Sequence, residues 1–208
     1  MEFGLEKTGS ASGGGNVIRI NDYARSQGGT QADAKPELKE IVMGLHWDPP
    51  EDGLTADPAD LDALCVLFDA QGRMLEVIYP GRPRNADGSV VHTGDSRTGA
   101  SEWDDERIFV FLEALPAAVS ALTFVVVSAT GRAFHEVCGA TCHVSDRASE
   151  YAWVRLELTD LAGRSGYAVA TLHRGVAGWS IATDARTVRG NLLTELQSMV
   201  ARKKSSDA

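Results

Sequence analysis

The sequence predicts an all-β domain, a β-sandwich of two mostly antiparallel sheets with a C-terminal amphipathic α-helix. Two observations carry this. About nine short apolar segments recur along the chain with turn signals between them, the pattern of a sandwich rather than of a helical bundle. Only the last of the apolar stretches changes period: Val188, Leu192, Leu193, Leu196, Met199 and Val200 repeat at helical spacing.

Taken in order, residues 1–15 are Gly/Ser-rich after Lys7 and read as a flexible leader. The folded domain is expected over 16–201, with a polar tail at 202–208. Residues 17–20 form a short strand candidate, and 22–36 an insertion or mobile loop of small and polar residues. Residues 38–47 read as a strand with Ile41, Met43 and Leu45 on one face. Residues 48–57 carry prolines, a glycine and acids, and are a loop. The next segment, DPADLDALCVLF at 57–68, has two readings. As a helix, Asp57 is the N-cap, Pro58 the first helical position and Asp60 a first-turn acid. As a strand, Leu64, Val66 and Phe68 lie on one face, and Leu61, Ala63, Cys65 and Leu67 on the other, as in a strand buried on both sides. Periodicity does not separate the two. Further strands are expected at 75–79, 107–112, 122–128, 139–144, 152–158, 166–173 and 179–182, and the closing helix at 187–201, packed on a sheet edge.

Composition narrows the function. The chain has 208 residues, 43% of them hydrophobic, which is ample for a core. A formal net charge of −9 argues against a nucleic-acid-binding surface. The three cysteines, Cys65, Cys138 and Cys142, sit in apolar surroundings and are expected as buried free thiols of a reducing compartment. Cys138 and Cys142 lack the second ligand pair of a zinc site. No secretory signal and no membrane-spanning run is visible, so a soluble cytoplasmic protein is expected.

Residues 85–106, NADGSVVHTGDSRTGASEWDDE, form a long polar interruption between apolar strands. A loop of this length in a compact domain usually has a function. It offers Asp87, Asp95, Glu102 and the run Asp104-Asp105-Glu106. Asp104 and Glu106 share strand parity, and so do Asp60 and Asp62 at the head of another segment. If those strand ends are neighbours, their carboxylates converge and repel one another strongly without a cation between them. Calcium, a hard ion that takes six to eight oxygens, suits such a donor set. The alternative is that acids at strand ends face water. No EF-hand spacing is present.

The motifs in this chain resemble those of the TerD family, named for tellurium-resistance proteins of bacterial stress operons. The resemblance rests on Gly14-Gly15-Asn16-Val17, Leu45-His46-Trp47-Asp48, Asp60-Leu61-Asp62-Ala63, Asp87-Gly88-Ser89-Val90 with His92-Thr93-Gly94-Asp95, and Thr98-Gly99 followed by Asp104-Asp105-Glu106. It extends over nearly the whole chain from Gly14. It implies a β-sandwich, which favours the strand reading of the segment ending at Phe68. It also implies calcium binding by Asp60, Asp62, Asp95, Asp104, Asp105 and Glu106, and partners among other proteins of a stress-response complex. The chain departs from the family pattern at His46, Pro58, Pro80-Gly81, Ser96, Ser101 and Trp103. Several of these changes remove an oxygen donor or backbone freedom, so a single weak calcium site is the expectation.

The leading functional expectation is therefore a non-catalytic calcium-binding stress-response module. The alternative is a metal-free protein-interaction module of the same fold, with Trp103 as a partner contact or a buried anchor. A third and weaker reading is a metal-assisted hydrolase with His92 as its base. The chain contains no nucleophile elbow, phosphate-cradling loop or zinc motif.

Overall fold

The computed structural model describes residues 35–50, 59–183 and 191–206. The leader, the strand expected at 17–20, nearly all of the 22–36 insertion, and Asp57 and Pro58 lie outside them. Ten strands follow in order: β1 (Glu40–His46), β2 (Leu61–Phe68), β3 (Met74–Ile78), β4 (Val90–His92), β5 (Glu106–Phe111), β6 (Ala121–Ser128), β7 (Thr141–Asp146), β8 (Ala152–Glu157), β9 (Gly166–Gly175) and β10 (Gly178–Ala182). One helix, α1 (Asn191–Ser206), closes the described chain. Strand ends differ from the sequence expectation by one or two residues, because hydrogen-bond ladders rather than hydrophobicity define them. The exception is β4, a three-residue strand inside the polar 85–106 segment.

The strands form two five-stranded sheets, a front sheet ordered β4-β5-β1-β7-β8 and a back sheet ordered β10-β9-β6-β2-β3. Every named pairing is antiparallel. Between the sheets, Ile41, Met43 and Leu45 of β1 meet the core that includes Leu61, Ala63, Cys65 and Leu67 of β2 and Phe124 and Val126 of β6. This is the expected all-β sandwich with its C-terminal helix.

β2 is a strand, and all eight of its residues are buried. The reason lies on the other side of the back sheet. There Leu64, Val66, Phe68, Val125 and Val127 pack against Leu196 and Val200 of α1 in a second apolar cluster. The helix thus covers a sheet face rather than a sheet edge, and it is what buries the second apolar face of β2. In the front sheet, β8 alternates buried Val154 and Leu156 with exposed Arg155 and Glu157, as expected of a strand with one wet face. α1 runs on to Ser206, past the residue 201 expected from its apolar stripe.

The cysteine expectation needs one correction. Cys65 and Cys142 are buried free thiols, but Cys138 is exposed. It lies in the connection before β7, where strand parity with Cys142 no longer governs its direction. Burial pushes the Cys65 and Cys142 thiols well above the usual range.

Candidate metal centre

The site is built where the heads of β2 and β5 meet the connection between β4 and β5. β3 covers the edge of β2 only from Cys65 to Phe68 in register. Upstream of that, the Ala63 N–H has no strand partner on this edge among the described residues and donates instead to Glu106 Oε2 at 2.8 Å. A buried amide of this kind needs an acceptor, and a carboxylate is a strong one. Glu106 is 1% exposed. His92 is also buried, with Nε2 3.3 Å from Glu106 Oε2, while its Nδ1 accepts the Gly94 N–H at 3.2 Å.

Of the expected ligands, the structure brings together Asp60, Asp62 and Asp95: one carboxylate oxygen from each lies within 4.8 Å of the other two. Asp60 and Asp62 sit at the head of β2 with the shared parity read from the sequence, and Asp95 reaches them from the connection after β4. Asp62 is fully buried, whereas Asp95 is solvent-facing and has Arg97 Nη2 at 3.8 Å. Two ligands on opposite sides of one calcium ion stand about 4.6–5.2 Å apart. An all-oxygen set at this spacing fits a hard divalent cation, and three carboxylates held this close favour a cation among them.

The other expected ligands go elsewhere. Asp104 lies on the outer face of the front sheet. Its Oδ2 accepts from Arg107 Nε at 2.8 Å and lies 3.2 Å from His143 Nε2. Gly44 leaves the room for this pair: a Cβ there would stand 2.2 Å from His143 Nε2 and 2.5 Å from Asp104 Oδ2. β5 begins at Glu106, so strand parity does not extend back to Asp104. Burial acts to raise the Asp104 carboxyl, but hydrogen bonding and charge from His143 and then Arg107 outweigh it and hold it below its ordinary value.

Asp105 points the other way into the protein, its side chain fully covered. It accepts from Trp47 N–H and Ser101 N–H, each at 3.1 Å, and from Ser96 Oγ at 3.3 Å. Of the remaining loop acids, Asp87 accepts the Ser89 N–H at 2.9 Å within its own turn, and Glu102 is exposed.

Sequence reasoning did not anticipate the partners of these acids. His46, with Nδ1 3.0 Å from Asp105 Oδ2, and His143 are the most consequential. Both occupy outward-facing positions of their strands, which is the signal that could have found them. His92, the one attractive base in the sequence, is sealed from solvent. Trp103 is 74% exposed, which answers the question of its burial.

The comparisons with known proteins agree with this architecture. The TerD domain matches residues 26–199. The tellurium resistance protein TerZ of Serratia marcescens is 34% identical over 168 residues, covering 77% of this chain and 86% of that one. General stress protein 16U of Bacillus subtilis (strain 168) is 30% identical over 166 residues, covering 76% and 85%. Among solved structures, a homologue of telluride resistance protein (TerD) from Streptomyces coelicolor A3(2) shares the fold, with a TM-score of 0.66 at 20% identity over 78% of this chain and 97% of that one. With the domain match running from before β1 into α1, the chain belongs to the TerD domain family.

Proposed function

We propose that this protein is a non-catalytic, calcium-binding stress-response module. The observation that carries the reading is the convergence of Asp60, Asp62 and Asp95 from two separate parts of the chain. Those three residues would hold the ion, with backbone carbonyls and water completing its shell. Bound calcium supplies the positive charge that offsets three close carboxylates and ties the β4–β5 connection to the head of β2. Few protein ligands and a partly exposed Asp95 correspond to a weak site, with a dissociation constant on the order of 10⁻⁵–10⁻³ M.

A non-catalytic role is supported by the burial of His92 and by relatives named as resistance and stress proteins. The free thiols accord with a reducing cytoplasm. Among the described residues no helix is long and apolar enough to cross a membrane. Partners would be other proteins of a stress-response complex.

Calorimetric titration of the full chain with calcium tests the proposal. Binding of a single ion, lost in Asp62→Asn, is expected; absence of binding at millimolar calcium would refute it. The exposure of Trp103 favours one second reading, a metal-free interaction module of the same fold. In that case calcium and chelator would leave the thermal midpoint identical.

A further inference from the structure

The calcium proposal leaves open what keeps Asp95 in place. Its neighbours Gly94, Ser96 and Arg97 belong to a connection without regular secondary structure. One carboxylate secures that connection. Asp105 Oδ1 accepts from Ser96 Oγ and Ser101 N–H, and Oδ2 accepts from Trp47 N–H and lies 3.0 Å from His46 Nδ1. The Asp105 N–H donates to Leu45 O at 2.8 Å, so the clasp is itself anchored to β1. A carboxylate offers about four lone-pair sites. Both oxygens accept protein hydrogen bonds, from Ser96 Oγ, Ser101 N–H and Trp47 N–H, and His46 Nδ1, which also lies 2.9 Å from Trp103 O, flanks the second. Asp105 is also absent from the trio of converging acids.

We infer that Asp105 is a positioning residue for the cation site and not one of its ligands. By holding Ser96 and Ser101 against the end of β1, it fixes the segment from which Asp95 reaches Asp60 and Asp62. This inference rests on the calcium reading, with the same site and the same ion. Groups that orient metal ligands commonly change metal affinity by about 10–100-fold when removed, without changing the ligand count.

Terbium luminescence in the full chain separates the two roles, because lifetimes in H₂O and D₂O count the waters on the bound ion. Asp95→Ala removes a ligand and is expected to add bound water. Asp105→Asn is expected to weaken terbium and calcium binding about 10–100-fold, yet to show the wild-type water count at saturation. A raised water count in Asp105→Asn would make it a ligand and overturn the inference, and so would unchanged affinity. Should Asp105→Asn fail to fold, Ser96→Ala removes one donor of the clasp and no carboxylate. Weaker binding at the wild-type water count is then expected, and unchanged affinity overturns the inference. Failure of the wild-type chain to bind either ion would be a different result, removing the calcium reading and this inference with it.

Discussion

Replacing Gly99 by alanine tests the anchoring of the connection that carries Asp95 most directly. Gly99 has φ +65°, and a Cβ there would lie 2.5 Å from both Cδ1 and the backbone oxygen of Trp47 and 2.6 Å from its Nε1. Trp47 is fully buried, and its Nε1–H donates to Ala59 O at 3.1 Å, so neither ring nor backbone can yield freely. The left-handed conformation alone costs alanine about 1–2 kcal/mol. Overpacking against a fixed buried group adds about 1–3 kcal/mol, for a total of about 2–5 kcal/mol. Gly88 supplies the control: its φ is +74°, but nothing lies within 4 Å of the added carbon. Urea denaturation of Gly99→Ala and Gly88→Ala, followed by tryptophan fluorescence at constant m-value, isolates the steric part as their difference. The reasoning fails if the two variants agree within about 0.5 kcal/mol, the noise of an ordinary surface substitution.

Asp62→Asn should abolish calcium binding while raising the stability of the calcium-free protein on the order of 1 kcal/mol, since like charges about 5 Å apart repel even at an effective dielectric near 20; a loss of calcium-free stability would instead mark Asp62 as a structural residue. Asp104→Asn bears on acid stability. Because the folded-state pKa of Asp104 is depressed, its contribution is present above the ordinary value of 3.8 and is lost as pH falls through the lower folded value. The variant should therefore lose about 1 kcal/mol near neutral pH and show a shallower decline below about pH 4 in pH-dependent thermal melts. Leu196→Ala, at a 2% exposed position of α1, should cost about 2–4 kcal/mol in chemical denaturation. An undiminished midpoint there would mean that the helix does not stabilise the back sheet.

Much of the sandwich was legible because its signals are local. The alternation in β8, the shared apolar face of Ile41, Met43 and Leu45 in β1, the apolar residues of β6 and the helical stripe of α1 each state their own secondary structure. The β2 segment did not. Its two apolar faces satisfy a helix or a doubly buried strand, and only the cluster of Leu64 and Val66 with Leu196 and Val200 shows why both faces are apolar. β4 was hidden for a different reason: a strand as short as Val90–His92 has no period of its own and exists through its pairing with β5.

The acid-rich connection divides in the same way. Residue type and order were enough to mark Asp60, Asp62, Asp95, Asp104, Asp105 and Glu106 as a set suited to a hard cation, because oxygen donors in flexible polar loops are a chemical property of the chain itself. Which of them meet is decided by packing. Asp60 and Asp62 reach Asp95 because the β2 head lies beside the connection after β4. Asp104 turns outward to Arg107 and His143 over Gly44, and Asp105 turns inward to Trp47, Ser96 and Ser101. Adjacent residues at a strand entry point in different directions according to hydrogen-bond donors that are distant in sequence, and no local pattern records where those donors will be.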